Sequence, residues 1–315
     1  MVRSLGCSAV MLLAACGPSS IELGGGKGGR DTAADTGIDH DSGDTGSGDT
    51  GSTDTGDSGG DIGEPAACLA HGFVVGESAH LAYGASLDAY DATAGAYGGA
   101  NIGEGSLAVN SHADCALTSG AAVRGELLVG GDPSAAFCEE WGATTSGGVH
   151  QLAAEAELAD VSAPSAVPDS EGEFSLAWEE THALEGLHHY EDFVLGYGST
   201  LTISAPAVLV VDELRVEGAT VKLDPGATLD LFVREAAGFS WGTAFNTGGS
   251  PAAVRIVLLG EDPLTLVNGA TLTGQLLAPR SDVEVGGTFQ GGASAASFEA
   301  AWGAALHLDE SLLCP

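Results

Sequence analysis

Basic residues are almost missing from this 315-residue chain: nine Lys and Arg stand against 44 Asp and Glu, a formal charge of −35. Only Lys27 and Lys222 are lysines, and no basic run occurs anywhere. Neutralising phosphates requires clustered Lys and Arg, so a nucleic-acid partner is excluded. Aromatics are scarce at 6%, while glycine is abundant at 49 residues. Many glycines among Ala, Val, Leu and Thr oppose a helical bundle and favour turn-rich β structure. After the N-terminal leader, no stretch approaches the roughly 18 apolar residues that a membrane-spanning helix needs.

The leader itself carries Arg3 and then the apolar run Leu5–Ala15. Eleven residues at about 1.5 Å each cover about 16 Å, half a bilayer core, which fits a signal peptide over residues 1–15. The sequence Leu13-Ala14-Ala15-Cys16-Gly17 resembles the lipobox of bacterial lipoproteins. That resemblance implies cleavage before Cys16, acylation of Cys16 and attachment to a membrane through the lipid. More than one acyl chain anchors stably. Glycine after the cysteine implies the outer membrane, with the protein facing the periplasm or the cell surface.

Residues 16–64 read as a linker. Ten acidic and no Lys or Arg residues lie between Asp31 and Glu64, and Asp-Thr-Gly recurs at Asp35, Asp44, Asp49 and Asp54. With hardly any apolar side chain to offset ordering entropy, this segment is expected to stay disordered and extended. The acids are not spaced as in a calcium-binding EF-hand loop.

Residues 65–315 form the folded part, marked by a glycine, a small residue and then alternating apolar positions. The motif runs Gly120–Val129 and again Gly269–Ala278, with shorter copies beginning at Gly198, Gly218, Gly226 and Gly286. Period-two alternation gives each strand one apolar face, and the glycine permits a sharp corner. The expectation is an all-β fold, a right-handed parallel β-helix (β-solenoid) with loop excursions, and the alternative is a β-sandwich. The glycine spacings of 20, 8, 43 and 17 residues argue against a regular helix and for loops between rungs. Residues 135–186 lack the pattern, and Gln151–Ala159 has the composition of a short helix. Phe174, Trp178, Leu184 and Leu187 are expected to pack this excursion against the wall.

Leu87–Ala92 with Tyr97-Gly98-Gly99, the stretch Gly105–Gly131, Thr243–Asn246, Gly274–Pro279, Phe289–Gly291 and Leu306–Leu312 together resemble a bacterial envelope domain family of unknown function. Leu308 stands where that family usually has tyrosine. Such domains occur in surface-anchored and pilus-associated proteins. The resemblance implies a right-handed parallel β-helix and carries over no catalytic residue.

Beyond Cys7 in the leader and Cys16, four cysteines remain: Cys68, Cys115, Cys138 and Cys314. In an exported domain they are expected to form two disulfides, with three connectivities open. One of these ties Cys68 to Cys314 and Cys115 to Cys138. No C-x-x-C pair suggests zinc.

Candidate chemistry is thin. Gly238-Phe239-Ser240-Trp241-Gly242 matches a nucleophile elbow, with Asp282 and His307 available as partners, but Thr243–Gly249 cannot be the helix that motif requires. His182, His188 and His189 cluster, yet neighbours on a strand face opposite ways, so three metal ligands do not converge. His307 is expected to bond within a terminal cap. The acidic pairs Glu139-Glu140, Glu179-Glu180, Glu191-Asp192 and Asp309-Glu310 invite a glycosidase or polysaccharide lyase reading, which needs two carboxyls facing across a groove. The sequence therefore points to an outer-membrane lipoprotein with a structural or adhesive, non-catalytic role and no cofactor. A carbohydrate-active β-helix enzyme or glycan-binding module is the alternative. Expected partners are the membrane and an envelope polysaccharide or surface protein.

Overall fold

The computed structural model describes residues 68–98, 101–111, 115–131 and 142–314. The leader, Cys16, the linker and Cys138 lie outside the described residues.

The strand Thr200–Val216 carries the plan of the whole sheet. Its first third pairs with Thr220–Leu223, its middle with Leu229–Val233 and its last third with Ala237–Phe239, always in parallel. These pair in turn with Ala244–Phe245, Val254–Leu258 and Leu264–Leu266. The three parts of Thr271–Val285 follow. Among the described residues the result is one closed sheet of 21 strands in three lanes, stacked tier upon tier. Its named pairings are parallel except that of Ser86–Tyr90 with Ile102–Gly103. Parallel pairing leaves no place for the hairpins of a sandwich.

Alternation turns Leu201, Ile203, Leu214 and Val216 inward, where they are buried against their counterparts in the next tier. Each such side chain contributes roughly 1.5–3 kcal/mol by leaving water. The middle lane behaves differently. Its strands read as continuous apolar runs, Val208–Val211, Leu231–Val233 and Ile256–Leu258, because both of their faces are covered.

The cover is residues 152–173. After Gly148–Gln151 at one end of the stack, the chain runs back outside the middle lane as a strap. Ala156, Leu152 and Leu158 pack on Val74, Ala108 and Leu128. Ala159, Val161 and Val167 pack with Val210, Phe232, Val257 and Leu277. Asn110 bonds both the N–H and the carbonyl of Ala156, at 2.8 and 2.9 Å, and the Ala159 N–H donates to Ser294 Oγ. Gln151–Ala159 is therefore not a helix, as its composition suggested. Docking on an apolar wall holds it extended. Helix among the described residues is confined to short 3-10 turns such as Pro251–Ala253 and Glu310–Leu312. Nor is the stretch up to residue 186 free of the pattern, since Thr144–Thr145, Gly148–Gln151, Phe174–Leu176 and Thr181–Leu195 all join the sheet.

The two ends of the domain meet inside the stack. Phe73–Leu81 adds to Thr288–Ala300, and Ser86–Tyr90 adds to Ala305–Asp309, so the first strands continue where the last one stops. The Cys68–Cys314 disulfide closes this seam across 246 residues. Leu69 and Leu313 bridge beside it, and the Phe73 ring stands edge-on to Phe289 and Phe298 at 5.8 and 5.6 Å. Cys115 is disulfide-bonded as well.

Candidate functional site

Between the third lane and the first lane of the next tier the chain turns through the same four-residue bend again and again. In Ala82–Ala85 the last N–H donates to the first carbonyl at 3.0 Å. Thr118–Ala121, Ala177–Glu180, Gly196–Ser199, Ser240–Thr243, Val267–Ala270 and Ala301–Ala304 close alike at 2.9–3.2 Å. The third residue of the bend needs a positive φ. Gly84, Gly120, Gly198, Gly242, Gly269 and Gly303 supply it at 72–83°, and Glu179 takes the same place at 61°. The second residue points into solvent, and in five bends it is aromatic: Tyr83, Trp178, Tyr197, Trp241 and Trp302, all 58–74% exposed.

Parallel register stacks these bends into one corner. Each ring lies toward a glycine of the following tier: Trp178 toward Gly198, Tyr197 toward Gly218, Trp241 toward Gly269, Trp302 toward Gly84 and Tyr83 toward Gly120. A Cβ on Gly218 or Gly269 would overlap the ring above it. Seven tier steps separate Trp178 from Tyr83, about 34 Å at a strand spacing of about 4.8 Å. Tyr83 and Trp302 sit on adjoining tiers with ring centroids 6.3 Å apart.

Two shallow depressions flank this corner on the third lane. One, about 210 Å³, is lined by Arg215, Glu217, Gly238, Ser240, Thr265 and Val267. The other, about 340 Å³, gathers Ser78, His80, Asp282, Glu284, Ser297 and Glu299. In it Glu284 and Glu299 stand opposite each other on paired strands, and His80 Nδ1 lies 3.8 Å from Glu299.

The residues singled out from the sequence fall elsewhere or serve the scaffold. Ser240 sits in a bend between two strands, its hydroxyl donating to the Val216 carbonyl at 3.3 Å, and Ala244–Phe245 follows as a strand. Asp282 lies on the third lane and His307 on the first. His307 does not bond within the terminal cap. Its Nδ1 is 2.7 Å from Asp88 Oδ1 across the seam, and Tyr97 stacks on its ring at 3.6 Å while donating to Asp88 Oδ2 at 2.8 Å. Burial, then the bond to Asp88, pushes the Tyr97 hydroxyl up to about 12.

At the end of the stack where Phe174 begins, His182 meets Phe174 edge-on. His188 bonds Glu171 at 2.8 Å, which holds that carboxyl below its ordinary range. His189 faces the other way, toward the Pro168 carbonyl and Arg234. No group of three or more His, Cys, Asp or Glu among the described residues is placed to hold a metal ion.

The acidic pairs are similarly occupied. Glu180 accepts from the Ala177 N–H, Asp192 pairs with Arg215, and buried Asp309 accepts from the N–H groups of Ala92 and Ser311. Glu139 and Glu140 lie outside the described residues. Phe174 and Leu184 do pack inward, whereas Trp178 and Leu187 are exposed rather than packed against the wall.

The corner went unread in the sequence, although a signal was present. Aromatic-glycine dipeptides recur at Tyr83-Gly84, Tyr197-Gly198, Trp241-Gly242 and Trp302-Gly303.

Compared with protein-family models, with curated protein sequences and with solved structures, the chain has no match in any of the three.

Proposed function

We propose that this chain is an outer-membrane lipoprotein, acylated at Cys16, whose acidic linker presents a right-handed parallel β-helix with a structural or adhesive, non-catalytic role. Three lanes in parallel register support the β-helix. The aromatic corner carries the adhesive role. Leaving five large rings in water forgoes roughly 1.5–3 kcal/mol of burial for each, and their alignment on one corner, in two adjoining pairs with Trp241 between, supports an interaction surface. Rings seated on glycine in a hydrogen-bonded bend lose little freedom when a partner arrives, which lowers the entropy cost of binding.

The depression holding Glu284 and Glu299 favours the second reading, a glycoside-cleaving enzyme, since paired carboxyls are its requirement. Both are tested together. Metabolic acyl labelling should mark the wild-type chain and spare Cys16→Ser; an unlabelled wild type overturns the anchor. Soluble full-length Cys16→Ser should sediment with isolated cell envelopes and release no oligosaccharide. Failure to sediment overturns the adhesive reading, and released sugars that vanish in Glu284→Gln favour the enzyme.

A further inference from the structure

Resting on that adhesive reading, we infer that the aromatic corner takes an extended, uncharged, β-linked polysaccharide lying along the stack. Each ring has an edge beside a glycine of the next tier and stays 58–74% exposed. Exposed aromatic faces suit the flat apolar face of a sugar ring. A protein hot spot, by contrast, is a side chain filling a pocket, and this corner is a ridge.

Spacing points the same way. Trp178 and Tyr197 are one tier apart, Tyr197 and Trp241 two, Trp241 and Trp302 three, and Trp302 and Tyr83 one. One tier is about 4.8 Å, so the five rings are spread over about 34 Å and an extended chain lying along the stack can meet several of them at once. Of the three tiers without rings inside this span, one holds Asn268 at the same position of the bend, where its side chain offers hydrogen bonds to hydroxyls. The other two turn through the shorter links Glu217–Ala219 and Gly286-Gly287.

Charge selects among polymers. Glu179, Glu180 and Glu217 border the rings on a chain of net charge −35, so polyuronates and anionic lipid surfaces are repelled. An exposed ridge also accepts the side of a chain, whether single or packed in a bundle, and has no use for a chain end.

The test uses full-length Cys16→Ser protein with insoluble β-1,4-glucan, chitin, an α-glucan and a polyuronate, alongside isolated envelopes. Binding to β-1,4-glucan or chitin that survives high salt, and is absent on the polyuronate, is expected. Trp241→Ala should weaken it about tenfold, Trp241→Ala with Trp302→Ala should abolish it, and Trp241→Phe should largely restore it. Melting temperatures should stay unchanged, because these rings are exposed. Loss of envelope binding in the Trp variants, with no polysaccharide bound by the wild type, overturns the glycan and leaves the adhesive reading standing. Wild type that binds neither envelopes nor any of these polysaccharides overturns both.

Discussion

Trp241 lies toward Gly269, one tier further along the stack, at a point where no Cβ fits. Gly269 has φ +83°, and Gly226 has a similar φ of +85° with open space where a Cβ would go. The pair separates strain from steric displacement. Gly226→Ala should lose about 1–2 kcal/mol from the left-handed backbone alone. Gly269→Ala should lose at least as much and also lift the indole. Chemical denaturation followed by tryptophan emission reads both, and an unchanged native emission in Gly269→Ala would show that the ring is not held there.

The seam depends on a covalent closure. Cys68 and Cys314 join residues 246 apart, and cross-links over long loops restrict the unfolded chain most in the entropic account. Replacing both by serine should cost about 2–4 kcal/mol. Amide exchange should quicken first at Leu69 and Leu313, whose bonds flank the bridge. Uniform loss of protection across the stack would contradict a local seam.

Alkaline pH should open the same seam from its other side. Tyr97 ionises near 12 in the folded protein, above its ordinary value of 10.0, through burial and its bond to Asp88. A folded pKa raised above the unfolded one gives stability that is complete below about pH 10 and falls as pH rises toward 12. Tyr97→Phe removes this contribution, so its melting temperature should decline less steeply than that of the wild type over that interval. Parallel curves would contradict the assignment.

At Ala156 the strap is hydrogen-bonded by one side chain, that of Asn110. Asn110→Ala strands the N–H and the carbonyl of Ala156, which is itself buried. Leaving such groups unpaired costs about 1–3 kcal/mol. Proteolytic cleavage between residues 152 and 168 should accelerate while the core strands stay protected.

Much of the scaffold was legible in the residues. Glycine corners and period-two alternation marked an all-β chain, and an even set of four cysteines suggested paired disulfides. The spacing misled because the motif marks two different corners: Gly218 and Gly226 open successive lanes of one tier, while Gly198 and Gly218 are one full tier apart. Gln151–Ala159 looked helical because Ala, Leu, Glu and Gln are strong helix formers, a preference that tertiary packing overrides. Only the apolar outer wall of Val74, Ala108 and Leu128 decides its path, and the unbroken runs such as Leu231–Val233 were the available sign of that wall. The candidate site was less legible. A Trp-Gly dipeptide says nothing alone, and its meaning comes from register, which brings Trp302 beside Tyr83 across more than two hundred residues. Glu179, holding a glycine's φ beside Trp178, has no sequence signature.

Protection of the ring corner is the sharpest single measurement. Unacylated full-length protein is treated with a tryptophan-selective oxidant, with and without isolated envelopes, and modification is mapped by mass spectrometry. Binding through the corner requires Trp178, Trp241 and Trp302 to become shielded together. Equal oxidation of all three in free and bound protein would contradict it.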